Sequence, residues 1–229
     1  MRLRQIIRTS SLARHVHAEA YASLVLSGGY EEAGDQGRLT VNAGDVVFHD
    51  RFEAHLDRSF EMGTTVLNLS LARRHHQPPG TARVTDPDLV ARVAERSGRD
   101  AVHLLVSSAR RWRRQSSDWP DRLADALLAE PCVSLREWSQ ENGLAPWTVS
   151  RGFSQVFGVS PEAFRARARA RRALRSIQET EMPLATIAAE LGFADQSHMT
   201  RSVKQLTGAG PRAWRWAANG FKTGTGSAL

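Results

Sequence analysis

Residues 147–161 read WTVSRGFSQVFGVSP, and residues 197–211, a spacing of 50 away, read SHMTRSVKQLTGAGP. Arg151 matches Arg201, Gly158 matches Gly208 and Pro161 matches Pro211, and beyond them Phe164–Arg165 matches Trp214–Arg215. In the first copy Val149, Phe153 and Val156 share one helical face by i, i+4 and i+7 spacing; in the second, Met199, Val203 and Leu206 do the same. The opposite face carries Pro146, Trp147, Ser150, Arg151 and Ser154 in the first copy, and Gln196, Ser197, Thr200, Arg201 and Lys204 in the second. One apolar face, one outward arginine and one glycine stop, made twice, imply two copies of one grip on a long ligand. DNA is a ligand of that kind.

Each copy is preceded by a shorter helical signal. Ser134 and Glu137 form an S-x-x-E capping box, Leu135, Trp138 and Ser139 face inward, and Asn142–Gly143 makes a tight turn. Leu184, Ile187, Ala188 and Leu191 make the second stripe, Gly192–Phe193 the turn, and Asp195 the cap of the helix that follows. Helix, tight turn and helix is the helix-turn-helix pattern, whose second helix lies in the major groove. Arg151 then reaches guanine edges or phosphate. Trp147 either meets a thymine methyl or sugar, or packs on a neighbouring helix. Between the two units, Pro161 to Glu179 predicts a connecting helix. It carries Arg165, Arg167, Arg169, Arg171, Arg172 and Arg175, with no acid between them and Glu179. Beside two such units this run predicts a phosphate-facing ridge with steep salt dependence. The six spread around the helix, so some of them cap terminal carbonyls or pair with carboxylates.

Residues Trp119 to Trp216 closely resemble the AraC/XylS family of bacterial transcription regulators. The resemblance is carried by Arg169–Ala170, Ala173, Ile177, Leu184, Ile187–Ala188, Gly192–Phe193, Ser197, Arg201, Lys204, Gly208 and Pro211 in that order. Met199, Val203, Gly210 and Trp138–Ser139 depart from the family's usual residues, and these are core changes. The resemblance implies two helix-turn-helix units joined by a rigid helix, reading major-groove segments about one helical turn, roughly 34 Å, apart. By position, Trp147, Ser150 and Arg151 match the family's base-contacting residues in the first unit. Gln196, Ser197, His198, Thr200 and Arg201 match those in the second, with Lys204 beside them. RNA polymerase is the further partner that such a regulator implies. The two copies differ where sequence is read, so one subunit should recognise two unlike segments rather than half of a palindrome.

The N-terminal part has a period of two. Ala22 to Leu26 is an apolar run ending at Gly28–Gly29, Leu39–Val41 ends at a turn, Val46–Phe48 follows, and Thr64 to Leu69 alternates. Short strands at this spacing predict a sandwich or barrel. His15–Val16–His17, Tyr21, Gly28, Gly44–Asp45 and His55 resemble the two motifs of a small cupin barrel, with Tyr21 where a metal-binding cupin has Glu and Glu19 out of step. Three readings stay open. His15, His17 and His55 bind a divalent transition metal, for which imidazole is suited and for which His-x-His places both rings on one strand face. Alternatively, with Tyr21, they line a pocket for a small organic effector, the reading the family resemblance favours. Or they are satisfied polar groups at a barrel mouth. His49, His75 and His76 are weaker candidates. About 70 residues of strand leave room for a small effector or none.

The expected fold class is α+β: a small cupin-like β-barrel followed by an all-α DNA-binding domain with two helix-turn-helix units. The expected domains are residues 1–72 for sensing, 73–117 for a linker and dimerisation helices, 118–219 for DNA binding, and a disordered tail over 220–229. Helices over Pro87–Ser97, begun by Asp86, and Asp100–Gln115 are expected, the second dimerising through Val102, Leu105, Val106 and Ala109 or packing that stripe on the barrel. The net charge of +7 favours a polyanionic partner. A single cysteine, Cys132, excludes an internal disulfide framework or cysteine-rich zinc site, and no apolar run is long enough to span a membrane. The chain is expected to be a cytoplasmic regulator that binds double-stranded DNA, senses a small molecule, forms a homodimer and requires no cofactor. It is not expected to be an enzyme. The rivals are a metal-dependent cupin enzyme fused to a basic domain, for which the Glu replaced by Tyr21 is missing, and a non-sensing DNA binder.

Overall fold

Strands fill the first part of the chain and helices the second, following the change of period from two to 3.6. In the computed structural model the described residues are 4–7, 11–59, 63–71, 80–112, 118–130 and 133–222. They divide into two units, Met1–Asp121 with Gln155–Gly158, and Arg122–Ser154 with Val159–Leu229. His75, His76, Cys132 and the last seven residues of the tail lie outside the described residues.

The first unit holds β1 (Arg4–Ile7), β2 (Ser11–Val16), β3 (Tyr21–Ser27), β4 (Gly29–Gly34), β5 (Gly37–Asn42), β6 (Asp45–His49), β7 (Ala54–Ser59), β8 (Thr64–Ser70) and β9 (Gly80–Arg83). Helices α1 (Pro87–Arg96) and α2 (Gly98–Ser108) and strand β10 (Arg110–Trp112) follow. Among the described residues the strands make two antiparallel sheets, β1-β8-β3-β6-β9-β10 and β2-β7-β4-β5, and not one closed barrel. Alternation assigns the faces. Val25, Val47 and Val66 of the larger sheet meet Tyr30, Leu39 and Val41 of the smaller one. The other face of the larger sheet, with Ala22, Leu24, Val46, Phe48, Leu67 and Leu69, is covered by Val90 and Ala94 of α1 and Ala101, Val102 and Leu105 of α2.

This packing corrects three expectations. Val102 and Leu105 are buried on the sheet, with Val106 and Ala109 against the same core, so the stripe is not available as a dimer face. The helix expected over 100–115 ends at Ser108, whose hydroxyl donates back to the Leu104 carbonyl at 2.7 Å. Ala109 turns extended, and Arg110–Trp112 pairs with β9 instead. The N-terminal unit therefore does not stop at residue 72; β9, β10 and both helices belong to it. The start of α1 follows its local signal, the Asp86 carboxylate accepting from the Leu89 N–H at 2.8 Å. Ser97 closes α1 and caps α2, so the second helix begins at Gly98 rather than Asp100.

The helices that follow are α3 (Trp119–Ala129), α4 (Leu135–Glu141), α5 (Pro146–Phe157), α6 (Pro161–Glu179), α7 (Leu184–Glu190), α8 (Gln196–Thr207) and α9 (Pro211–Lys222). In the second unit α6 packs against α7, α8 and α9. Its 19 residues make a rod about 28 Å long. Phe153 and Phe164 meet edge to face, 5.3 Å between centroids, joining α5 to α6. Gly208 has a φ of +79° and closes α8 by donating its N–H to the Lys204 carbonyl, and its counterpart Gly158 has a φ of +69°. No described helix is long and apolar enough to cross a membrane.

Candidate nucleic-acid interface and ligand pocket

Helices α4 and α5 form one helix-turn-helix and α7 and α8 the other, each with its second helix anchored by an apolar stripe. Val149 and Phe153 of α5 are buried, as are Met199 and Val203 of α8. Phe157 is buried while Val156 is half-buried, and Leu206 is also half-buried, so these stripes are narrower than their spacing implies. Ser139 is buried as expected, whereas Leu135 and Trp138 are half-buried. Asp195 caps α8 by accepting from the His198 N–H at 2.6 Å.

With the apolar stripes fixed, the opposite faces are free to meet a ligand. On α5, Trp147 is 69% exposed, and Ser150 and Arg151 are exposed beside it. Trp147 therefore does not pack into a neighbouring helix. On α8, Gln196, Ser197, Arg201 and Lys204 are exposed and Thr200 is half-buried. His198 is placed differently, half-buried with its ring edge-on to Phe193 at 5.4 Å.

The α6 arginines do not form one ridge. Arg165 donates to the Val133 carbonyl at 2.8 Å, Arg169 to the Gly192 carbonyl at 2.9 Å, and Arg172 to the Ala129 carbonyl at 3.4 Å. Arg169 also lies over the Phe193 ring at 5.5 Å. These cations hold carbonyls at turns and helix ends of neighbouring elements, where unsatisfied oxygens gather. The repeat gives this a pattern. Arg165 grips the residue before the Ser134 cap of α4, and its counterpart Arg215 grips Met182, the residue before the Pro183 cap of α7, at 2.7 Å. The matched arginines clamp the entry of each helix-turn-helix, which spacing alone could not reveal because their partners are far along the chain.

In the first unit a cavity of about 390 Å³ lies against both sheets, lined by His15, His17, Tyr21, Tyr30, His55 and Asp57 among others. Strand pairing sets His15 opposite His55, and the turn after β6, where Phe52 adopts a φ of +60°, donates the Phe52 N–H to the His17 carbonyl at 2.8 Å. The His15 ring centroid stands 4.3 Å from that of His55 and 4.9 Å from that of His17. His15, His17 and His55 each offer a nitrogen within 4.8 Å of the others. Tyr21 joins them, its hydroxyl 3.0 Å from His55 Nε2 and its ring stacked on His49. Glu19 stays outside, exposed beside Arg51.

Burial, reinforced by the neighbouring His55, His15 and His49, pushes the His17 pKa down to about 4, so its ring is neutral near neutral pH. His55 goes the other way. Burial opposes its charge, but Glu32 and Asp57 outweigh burial and raise its pKa well above the usual value. Burial raises the Tyr21 phenol, with Glu32 adding to the effect. Sequence reasoning missed Asp57 of the pocket lining, and Glu32 and Glu53, which are buried behind it with His49. Asp57 was findable, since residues two apart on a strand share a face with His55. Glu32 was not, because only the pairing of β4 with β7 brings it there.

A family model described as a helix-turn-helix domain matches residues 138–217. Residues of this chain are 33% identical over 88 positions to the arabinose operon regulatory protein of Escherichia coli, covering 38% of this chain and 30% of that protein. They are 34% identical over 77 positions to the HTH-type transcriptional regulator ExsA of Pseudomonas aeruginosa, covering 34% of this chain and 28% of that one. The matched stretch thus spans less than a third of the length of these relatives. Among solved structures, the DNA-binding domain of AdpA in complex with a target DNA gives a TM-score of 0.43 at 18% identity, covering 47% of this chain and 99% of that one. ToxT from Vibrio cholerae with a bound unsaturated fatty acid gives 0.43 at 10% identity, covering 90% of both chains.

Proposed function

We propose that this chain, whose residues 138–217 match a helix-turn-helix domain, is an AraC/XylS-type, cytoplasmic DNA-binding transcription regulator with a small-molecule sensor in its N-terminal unit. The observation that carries the reading is the pair of exposed donor-rich faces on α5 and α8, each anchored by a buried stripe. Trp147, Ser150 and Arg151 read one groove segment. Gln196, Ser197, Thr200, Arg201 and Lys204 read another, with His198 at the margin. Arginine and lysine contribute affinity through phosphates and specificity through guanine edges. RNA polymerase is the further partner of such a regulator, and a homodimer would need a surface other than the α2 stripe. Purified full-length chain incubated with fragmented genomic DNA should enrich a limited set of sites. Equal retention of all fragments would replace this reading with a non-specific architectural binder.

The sensor reading rests on the cavity. Its volume of about 390 Å³ lies near the low end of small-molecule pockets, roughly 300–1,000 Å³. His15, His17, Tyr21 and His55 give it hydrogen-bonding groups suited to a small polar effector. A second reading of the same face is a divalent transition metal on His15, His17 and His55, favoured by the mutual reach of their nitrogens. Thermal-shift screening of the full chain separates the two. Stabilisation by a small polar compound after chelator treatment supports the effector, and stabilisation by metal that is lost in His15→Ala/His17→Ala supports the ion.

A further inference from the structure

Behind the pocket, away from the face just described, Glu32 and His49 are buried to about 1% and 2% exposure. Glu32 Oε2 and His49 Nε2 stand 3.5 Å apart, and neither makes a hydrogen bond. The other nitrogen of His49, Nδ1, donates to Glu53 Oε1 at 3.3 Å. Glu53 is itself held by the Gln36 amide and the Asp50 N–H. With Nδ1 engaged by Glu53, Nε2 is the nitrogen that His49 turns toward the Glu32 oxygen. His55 Nδ1 lies 3.3 Å from the same Glu32 oxygen and 3.0 Å from Asp57 Oδ1. Two buried polar atoms that face each other without a hydrogen bond are unfavourable in a dry interior unless a further group joins them.

The strand register sharpens the problem. Glu32 is paired directly opposite Asp57, which places two buried carboxylates side by side. Protonating both histidines would balance their charge, but the His49 and His55 rings are stacked 4.7 Å apart, so two cations would sit face to face. His55 Nδ1 bonds Asp57 Oδ1 at 3.0 Å, whereas Glu32 Oε2 stands farther off, 3.3–3.5 Å from both histidines. The two separations from Glu32 Oε2 match edges of a ligand tetrahedron around a zinc-like ion, about 3.3–3.6 Å for bonds of roughly 2.0–2.2 Å.

We propose that Glu32 Oε2, His49 Nε2 and His55 Nδ1, with Asp57 as the fourth ligand, form a buried binding site for one divalent transition-metal ion. His49 is oriented by Glu53, the outer-shell carboxylate that ligating histidines characteristically use. When Nδ1 of His55 ligates the ion, the ring proton resides on Nε2 and is donated to the Tyr21 hydroxyl, 3.0 Å away. His55 and Asp57 also line the cavity, which gives the ion its path in.

The probe is Co²⁺ added to the chelator-stripped full-length chain, read by its d–d absorption and by X-ray absorption. One tightly held tetrahedral Co²⁺ per chain is expected, with two imidazoles in its shell. Glu32→Gln and His49→Gln should weaken binding at least tenfold while retaining the native far-UV circular dichroism, and His15→Ala/His17→Ala should bind as the native chain does. Absence of stoichiometric Co²⁺ binding in the native chain overturns the site. So does a shell of three imidazoles, or binding lost in His15→Ala/His17→Ala and kept in Glu32→Gln. The imidazole count is taken on the native chain, so the outcome stands even if a variant fails to fold.

Discussion

Arg151 and Arg201 hold equivalent places in two helices, each exposed opposite a buried stripe. If Arg201 reads a guanine through both of its terminal nitrogens, Arg201→Ala costs about 1–3 kcal/mol of specific binding and relaxes preference at that position. A mobility-shift titration on an enriched site checks it, and unchanged affinity removes the assignment. The arginines of α6 predict a different signature. Arg169 bonds a carbonyl in the turn between α7 and α8, so Arg169→Ala should lower unfolding free energy by about 1 kcal/mol. It should leave the salt dependence of DNA binding where it was, whereas Lys204→Ala should reduce the slope of log K against log salt by about 1 if it meets a phosphate. Periodicity placed Arg151 and Arg201 on outward faces. It could not tell a phosphate ligand from a carbonyl clamp, because the oxygens held by Arg165 and Arg215 come from segments 32 and 33 residues away.

Helix ends were the most readable elements, since Asp86, Ser134 and Asp195 act through bonds to the third residue on. The stop at Gly208 is equally local. Its φ of +79° is in the left-handed region, and open space surrounds the place of a Cβ. Gly208→Ala should therefore cost about 1–2 kcal/mol from backbone conformation alone, measurable by urea unfolding. The α2 stripe was readable as apolar, but its destination was not, because the covering surface is assembled from β3, β6 and β8. Leu105 is fully buried there, and Leu105→Ala should cost about 2–5 kcal/mol. Sedimentation of that variant should give the same oligomeric state as the native chain; dissociation of a native dimer would restore the stripe as an interface. The end of α2 was misread for a similar reason, since Arg110–Trp112 is taken up by a strand pairing with β9.

For the whole molecule, the change of period separated a strand-rich unit from a helical one, and the repeat located the two exposed helix faces of α5 and α8. The sequence reading placed His15, His17, Tyr21 and His55 together by motif, and the structure brings them to one cavity. The acids behind them were hidden because pairing between β4 and β7, not sequence proximity, sets Glu32 beside His55 and Asp57. The central claim is that one chain reads two unlike groove segments with α5 and α8. Hydroxyl-radical footprinting of the full-length chain on an enriched site tests it most directly. Two protected segments of different sequence should lie about one helical turn apart on one face of the duplex. Arg151→Ala should weaken protection at one segment and Arg201→Ala at the other. A single protected segment, a palindromic footprint, or the same segment lost in both variants would contradict the account.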